Sequence, residues 1–196
     1  VTCGPGTKLC GKACVDDQKD PGNCGGCGKA CADGEVCSAG QCGLECVGGS
    51  TKCGGIQDGV AVGKTVCYTC RAGDEPIFYV FTREPNDSLV KLVKQIEAMV
   101  VARKERKAAG VINFLGDPKD EKLRQRIADF GTRHSLQNVS LTITADGPKF
   151  VLSDDHEATV ILFENGIIRL RTAVERGKFD DEATAAIVRE STAILK

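Results

Sequence analysis

The side chains best suited to chemistry in this chain are cysteines. Cys67-Tyr68-Thr69-Cys70 has the spacing of a redox dithiol or of half a thiolate metal site, and Cys24-Gly25-Gly26-Cys27 repeats that spacing. Pooled, these four thiolates would complete a tetrahedral zinc site. Other reactive groups are sparse. Of the two histidines, His134 falls near an expected helix end and His156 lies among acids. Asp154, Asp155, His156 and Glu157 offer a second-choice surface metal site. Consecutive residues entering a strand point apart, so a charged turn is the preferred reading. Asp16, Asp17 and Asp20 lack the regular alternation of a calcium loop and read as turn-formers. Ser88 and Ser140 have no base near them in sequence, and neither a Gly-x-Ser-x-Gly nor a phosphate-loop pattern occurs. Arg71, not histidine, directly follows Cys70, which excludes c-type haem attachment there. These residues call for no cofactor and identify no small-molecule substrate.

The placement of the cysteines sets the context. Ten of the twelve lie in residues 1–53 (Cys3, Cys10, Cys14, Cys24, Cys27, Cys31, Cys37, Cys42, Cys46 and Cys53), and none follows Cys70. The first 55 residues hold 14 of the 23 glycines and no Phe, Tyr or Trp. Such a segment cannot build an oily core and must be cross-linked or metal-bound. An even total suits complete pairing, so all twelve, including Cys67 and Cys70, are expected in disulfides. That places the protein in an oxidising compartment: secreted, extracellular or periplasmic. Val1 reads as a processed start, and no membrane-length apolar run is present. Charge is balanced, five Lys against six acids up to residue 55 and 21 against 21 beyond, which excludes a nucleic-acid binder. The run Arg103-Lys104-Glu105-Arg106-Lys107 is the solvated end of a helix.

Residues 3–10, CGPGTKLC, and 46–53, CVGGSTKC, are both Cys-x6-Cys followed by Gly, as though a second repeat begins and is interrupted. The unit containing CVD, DPGNCGGCGKAC and GEVCSAGQC resembles the stigma-specific Stig1-like cysteine-rich family. The resemblance implies extracellular life and a role in adhesion or recognition. DPGN and SAGQ supply turns, and short disulfide-closed loops stabilise such a chain.

From residue 75 the pattern alternates between strands and helices. PIFYVFTR (76–83) and GVINFLG (110–116) read as strands covered on both faces. Between them Asn86, Asp87 and Ser88 cap a helix whose Leu89, Leu92, Val93, Ile96, Met99 and Val100 form one apolar stripe. Asp117-Pro118 is expected to open a second helix carrying Leu123, Ile127 and Phe130. VSLTIT (139–144) reads as a further strand or an edge segment. ATVILFENGIIRLRTAV (158–174) reads as a hairpin turning at Asn165-Gly166, and a last helix follows Gly177.

This βαβα(β)ββα order, with ATVILFENGII, resembles the thioredoxin fold, an α/β architecture with a mixed sheet flanked by helices. GKTVCYTCRAGDEPIFYVFTRE is also similar to secreted bacterial thioredoxin-like proteins with a Cys-Tyr-x-Cys segment. The resemblance implies a catalytic dithiol just after the first strand, yet its two positions fall on Asn86 and Leu89, and its cis-proline position falls on Ala158. Cys67 and Cys70 precede that strand, about 25 Å of strand away, and Gly73–Pro76 reads as a turn rather than a following helix. The two Asn-x-Ser sequons, at Asn86 and Asn138, are short enough to arise by chance.

The expected organisation is a cysteine-rich disulfide module of little regular structure (1–55), a linker (56–66) and a thioredoxin-like domain (67–196). The expected function is a redox-inactive structural or protein-binding subunit, with a protein partner or self-assembly and no nucleic acid. A thiol–disulfide oxidoreductase using Cys67 and Cys70 is the alternative, and a thiolate metal-binding protein the third.

Overall fold

The computed structural model describes residues 3–31, 35–38, 40–44, 50–145 and 153–195. Two short antiparallel hairpins come first: β1 (Lys8–Cys10) with β2 (Ala13–Val15), and β3 (Glu35–Ser38) with β4 (Gln41–Leu44). With so little apolar side chain to bury, cross-links hold them. Cys3–Cys14, Cys10–Cys27, Cys24–Cys37 and Cys31–Cys42 are disulfides between residues 11 to 17 apart. Closing loops of that length is worth about 3 kcal/mol each against the open chain.

The remaining elements follow in order: β5 (Ser50–Gly55), β6 (Thr65–Val66), α1 (Tyr68–Ala72), β7 (Ile77–Thr82), α2 (Ser88–Ala102), β8 (Ala109–Leu115), α3 (Glu121–Arg133), β9 (Ser140–Thr144), β10 (His156–Glu164), β11 (Ile167–Glu175) and α4 (Asp181–Ile194). Seven strands form one sheet in the order β11-β10-β7-β8-β9-β5-β6. β7, β8 and β9 run parallel, while β10, β11, β5 and β6 pair antiparallel. The sheet is therefore mixed, as expected of crossovers followed by a hairpin. Asn165 and Gly166, both at positive φ (53° and 72°), make the tight turn of that hairpin.

The sheet begins earlier than composition suggests. Ser50–Gly55, grouped by its cysteines and glycines with the module, hydrogen-bonds along β9, and the segment expected to be a linker returns as β6. Gly55 makes this possible: at φ +84° its backbone lies so close to β9 that a Cβ would stand 2.1 Å from the Val139 carbonyl oxygen. β9 (Ser140–Thr144) is consequently an interior strand rather than an edge. At the other edge the module's β4 lies against β11.

The apolar stripe of α2 is buried from Leu89 to Val100 and packs, with Ile127 and Phe130 of α3 and Ile187 of α4, on one sheet face. Each such fully buried side chain stabilises the fold by about 1.5–3 kcal/mol. The opposite face presents Ile77, Tyr79, Phe81, Val111, Ile161 and Phe163, joined by Tyr68 from α1. The start of α3 differs from expectation. Asp120, not Asp117, is its N-cap, accepting from Lys122 N and Leu123 N. Asp117 instead accepts from Lys119 N in the preceding turn.

Candidate functional site

In an open α/β sheet the carboxyl ends of the parallel strands are the place for chemistry. Here β7 ends at Thr82, and Asn86, Asp87 and Ser88 lead into α2. Asn86 caps the helix: its Oδ1 accepts from Leu89 N at 3.2 Å, while its Nδ2 donates to Glu157 Oε1 at 3.2 Å. The Ser88 hydroxyl bonds to Glu157 as well. Glu157 Oε2 accepts from Gly177 N at 3.2 Å, and its backbone carbonyl accepts from Thr82 Oγ1 at 3.1 Å. Glu157 thus ties together the end of β7 through its backbone carbonyl, and the first turn of α2 and the approach to α4 through its carboxylate. Leu89 has no exposed surface and belongs to the core, and the peptide leading into Ala158 is trans. Neither Asn86 nor Leu89 can form a thiolate, and the Ser88 hydroxyl between them is spent on Asn86 and Glu157.

Around this knot the charged side chains also pair. Arg126 bonds to Glu84, Arg83 to Asp154 at 3.2 Å, and His134 Nε2 to Asp87 at 3.2 Å, with the imidazole edge-on to Phe130. These pairs draw the second-choice metal residues apart. His156 Nδ1 bonds to Ser153 Oγ at 2.9 Å, Asp154 turns to Arg83 and Glu157 to Ser88. Asp154, Asp155, His156 and Glu157 do not converge on a point; among the described residues the only three such ligand atoms gathered closely are Cys24, Cys31 and Cys42.

Those sulfurs are already committed to disulfides, which also removes the four-thiolate zinc reading. Cys24 pairs with Cys37, Cys27 with Cys10, and Cys67 with Cys70. Asp16, Asp17 and Asp20 accept hydrogen bonds from Gln18 N, the Gln18 side chain and Gly22 N respectively, each within two residues, and serve turns. Complete pairing, by contrast, fails at one position among the described residues. Cys53 is a free thiol, because β5 turns it into the core on the α3 side of the sheet, where burial pushes its pKa up to about 11. Cys46 lies outside the described residues.

Cys67 and Cys70 form a disulfide with each other, three residues apart and 5.2 Å between Cα atoms. Gly73–Pro76 is a turn, as expected, but a short helix that the sequence did not announce starts inside the pair: Cys67 is the N-cap of the five-residue α1, and its Sγ accepts from Cys70 N at 3.1 Å. The pair stands before β7, whose six residues span about 17 Å to the start of the α2 approach. It is therefore at the opposite end of the sheet from Asn86.

Behind the disulfide lies a network that no motif announced. Lys52 on β5 is buried, with its side chain 3% exposed, and its ammonium pairs with Asp58 and donates to Ile56 O at 2.6 Å. The same carboxylate accepts from Val60 N at 3.0 Å, Ser140 Oγ at 2.9 Å and Tyr68 OH at 3.1 Å. Arg71 donates to the Asp58 backbone carbonyl at 2.8 Å. Burial alone would raise the Asp58 carboxyl, but the Lys52, Val60 and Ser140 bonds outweigh it and hold it below the usual range. Burial pushes the Tyr68 phenol up to about 12. Thr69 and Tyr79 share a hydrogen bond of 2.8 Å. Both residues inside the Cys67–Cys70 ring are therefore anchored to the sheet. Ser140, which had no base in its sequence neighbourhood, is thus an anchor and not a nucleophile.

No protein-family model matches the sequence, and no curated protein matches it. Solved structures do match in shape. A protein described as the thiol:disulfide interchange protein DsbE of Chlorobium tepidum superposes with a TM-score of 0.52 at 14% identity, over 76% of this chain and 98% of that one. A protein described as a protein disulfide isomerase from Bacteroides thetaiotaomicron gives 0.51 at 17% identity, over 68% and 80%. A cysteine-to-serine variant of Xanthomonas campestris peroxiredoxin Q gives 0.51 at 10%, over 76% and 91%. At these identities the likeness concerns shape alone: the mixed sheet with its helices is a thioredoxin-like fold, preceded by a disulfide-rich N-terminal region.

Proposed function

We propose that this protein is a structural or protein-binding subunit whose thioredoxin-like domain is redox-inactive at the fold's usual site. The observation that carries the reading is the knot at the strand ends. Asn86 caps α2, Leu89 is core, and Glu157 consumes the donors that a reactive thiolate would need. The cysteine-rich module, with its Stig1-like spacing, would be the rigid contact-making arm, presented on a sheet that supplies the stability it lacks. Five disulfides favour an extracellular or periplasmic location, and no helix among the described residues is long and apolar enough to cross a membrane.

The test is insulin reduction driven by dithiothreitol, with the wild type and the C67S/C70S variant. The reading expects both to match the rate of dithiothreitol alone. Turnover retained in C67S/C70S would place thiol chemistry on the remaining cysteines and refute it. Turnover lost only in C67S/C70S would replace it with an oxidoreductase working from Cys67 and Cys70.

A further inference from the structure

Among the disulfides, Cys67–Cys70 differs in what the fold needs from it. In the module the cross-links stand in for a core. At Cys67–Cys70 the ring is four residues long, so its closure restrains the open chain least. The elements it joins are already held without it: Tyr68 is buried and donates to Asp58, Thr69 bonds to Tyr79, and Arg71 reaches the Asp58 carbonyl. Cys70 is exposed, whereas Cys67 is half-buried.

We propose that Cys67–Cys70 is a thiol–disulfide exchange site, one that opens and closes without loss of the fold and takes its electrons from an incoming dithiol. The dithiol's first thiolate attacks the exposed Cys70 Sγ. The S–S bond breaks, and the electron pair leaves on Cys67 Sγ, which the Cys70 N–H already faces at 3.1 Å. The dithiol's second thiolate then attacks its own sulfur in the mixed disulfide and expels Cys70 as a thiolate. The dithiol becomes a disulfide, two electrons pass to the protein, and the two protons given up by the dithiol end on Cys67 and Cys70. Tyr68 and Thr69 are positioning residues: they keep the two thiols facing after opening, so that an oxidised partner recloses the ring. The site is remote from Asn86 and rests on the ring and its anchors, not on the binding role proposed above.

The test equilibrates the full oxidised chain in graded mixtures of reduced and oxidised dithiothreitol, alkylates, and maps the labelled peptides while circular dichroism follows the fold. Cys67 and Cys70 are expected to label together at a reductant ratio at least tenfold below that opening Cys3–Cys14, Cys10–Cys27, Cys24–Cys37 or Cys31–Cys42. The circular dichroism should stay unchanged, and excess oxidised dithiothreitol should reverse the labelling. T69V should shift the Cys67–Cys70 midpoint about fivefold toward easier reduction, the effect of one lost hydrogen bond, and leave the module midpoints where they were. Opening in step with the module, loss of the sheet signal on opening, or a T69V midpoint identical to wild type would each overturn the proposal. C70S supplies the control: a folded variant with Cys67 labelled agrees with it, and failure of C70S to fold while T69V folds overturns it. None of these readouts depends on insulin turnover: exchange at Cys67–Cys70 without turnover of insulin leaves the binding role standing, and insulin turnover lost in C67S/C70S replaces that role while leaving the exchange site in place, so either proposal can fail alone.

Discussion

Asp58→Ala should be among the most damaging single changes outside the apolar core. The substitution strips the Lys52 ammonium, 3% exposed, of its counter-ion and leaves it only the Ile56 carbonyl. Removing one partner of a buried ion pair costs about 3–5 kcal/mol. The hydroxyls of Tyr68 and Ser140 also lose their acceptor, at about 1 kcal/mol each where water does not replace it. Water entering the space left by the carboxylate offsets part of this, so the expected loss is about 4 kcal/mol, or about 8–16 °C in Tm for a chain of this size. Urea unfolding in non-reducing buffer, followed by circular dichroism, measures it. K52M/D58A should be less destabilised than D58A alone, because the double variant buries no charge. The pH dependence has a fixed sign. The folded Asp58 carboxyl is held below its usual value, so its contribution is complete above the unfolded value, about 3.9, and disappears as pH falls through the folded one. D58N should therefore flatten the acid limb of the stability profile. A D58A cost under about 1 kcal/mol, or a double variant no better than the single, would refute the network as the anchor of α1.

Other perturbations separate core from surface. Leu89→Ala, at the position where a thioredoxin-type site would carry a cysteine, should cost about 2–5 kcal/mol in urea unfolding because the side chain is fully buried. Glu97→Ala should cost about 2–3 kcal/mol, since Glu97 Oε1 accepts from both Gln137 N (2.7 Å) and Asn138 N (2.8 Å); E97Q, which keeps that acceptor, should recover most of it. Iodoacetamide at pH 8 should leave Cys53 unlabelled in the native protein and label it once urea unfolds the chain, as a buried thiol with a pKa near 11 requires.

Periodic and turn chemistry were legible from residues alone. The α2 stripe, the Asn165-Gly166 hairpin and the β7 and β8 strands all write their burial into spacing, because one face of each helix and both faces of each central strand meet the core. Two features escaped. β5 carries Lys, Cys and two Gly in six residues, a composition that speaks for a turn-rich module; only the close approach to Val139 at Gly55 reveals that it joins a sheet. The Asp58 hub gathers Lys52, Tyr68 and Ser140 from β5, α1 and β9, and no local pattern encodes a meeting of residues up to 82 positions apart. The candidate site was legible chiefly in what it lacks, a dithiol at Asn86 and Leu89. Glu157 could be read only as one acid in a charged turn, and its part in the knot needed the fold.

The claim that the cysteines frame the structure is tested most directly by mapping disulfides in the native protein by non-reducing peptide mass spectrometry. The account predicts Cys3–Cys14, Cys10–Cys27, Cys24–Cys37 and Cys31–Cys42 within the module, and Cys67 closed on Cys70. Cys67 or Cys70 linked to a module cysteine, or Cys24, Cys27, Cys67 and Cys70 recovered as thiols with one equivalent of zinc, would contradict it.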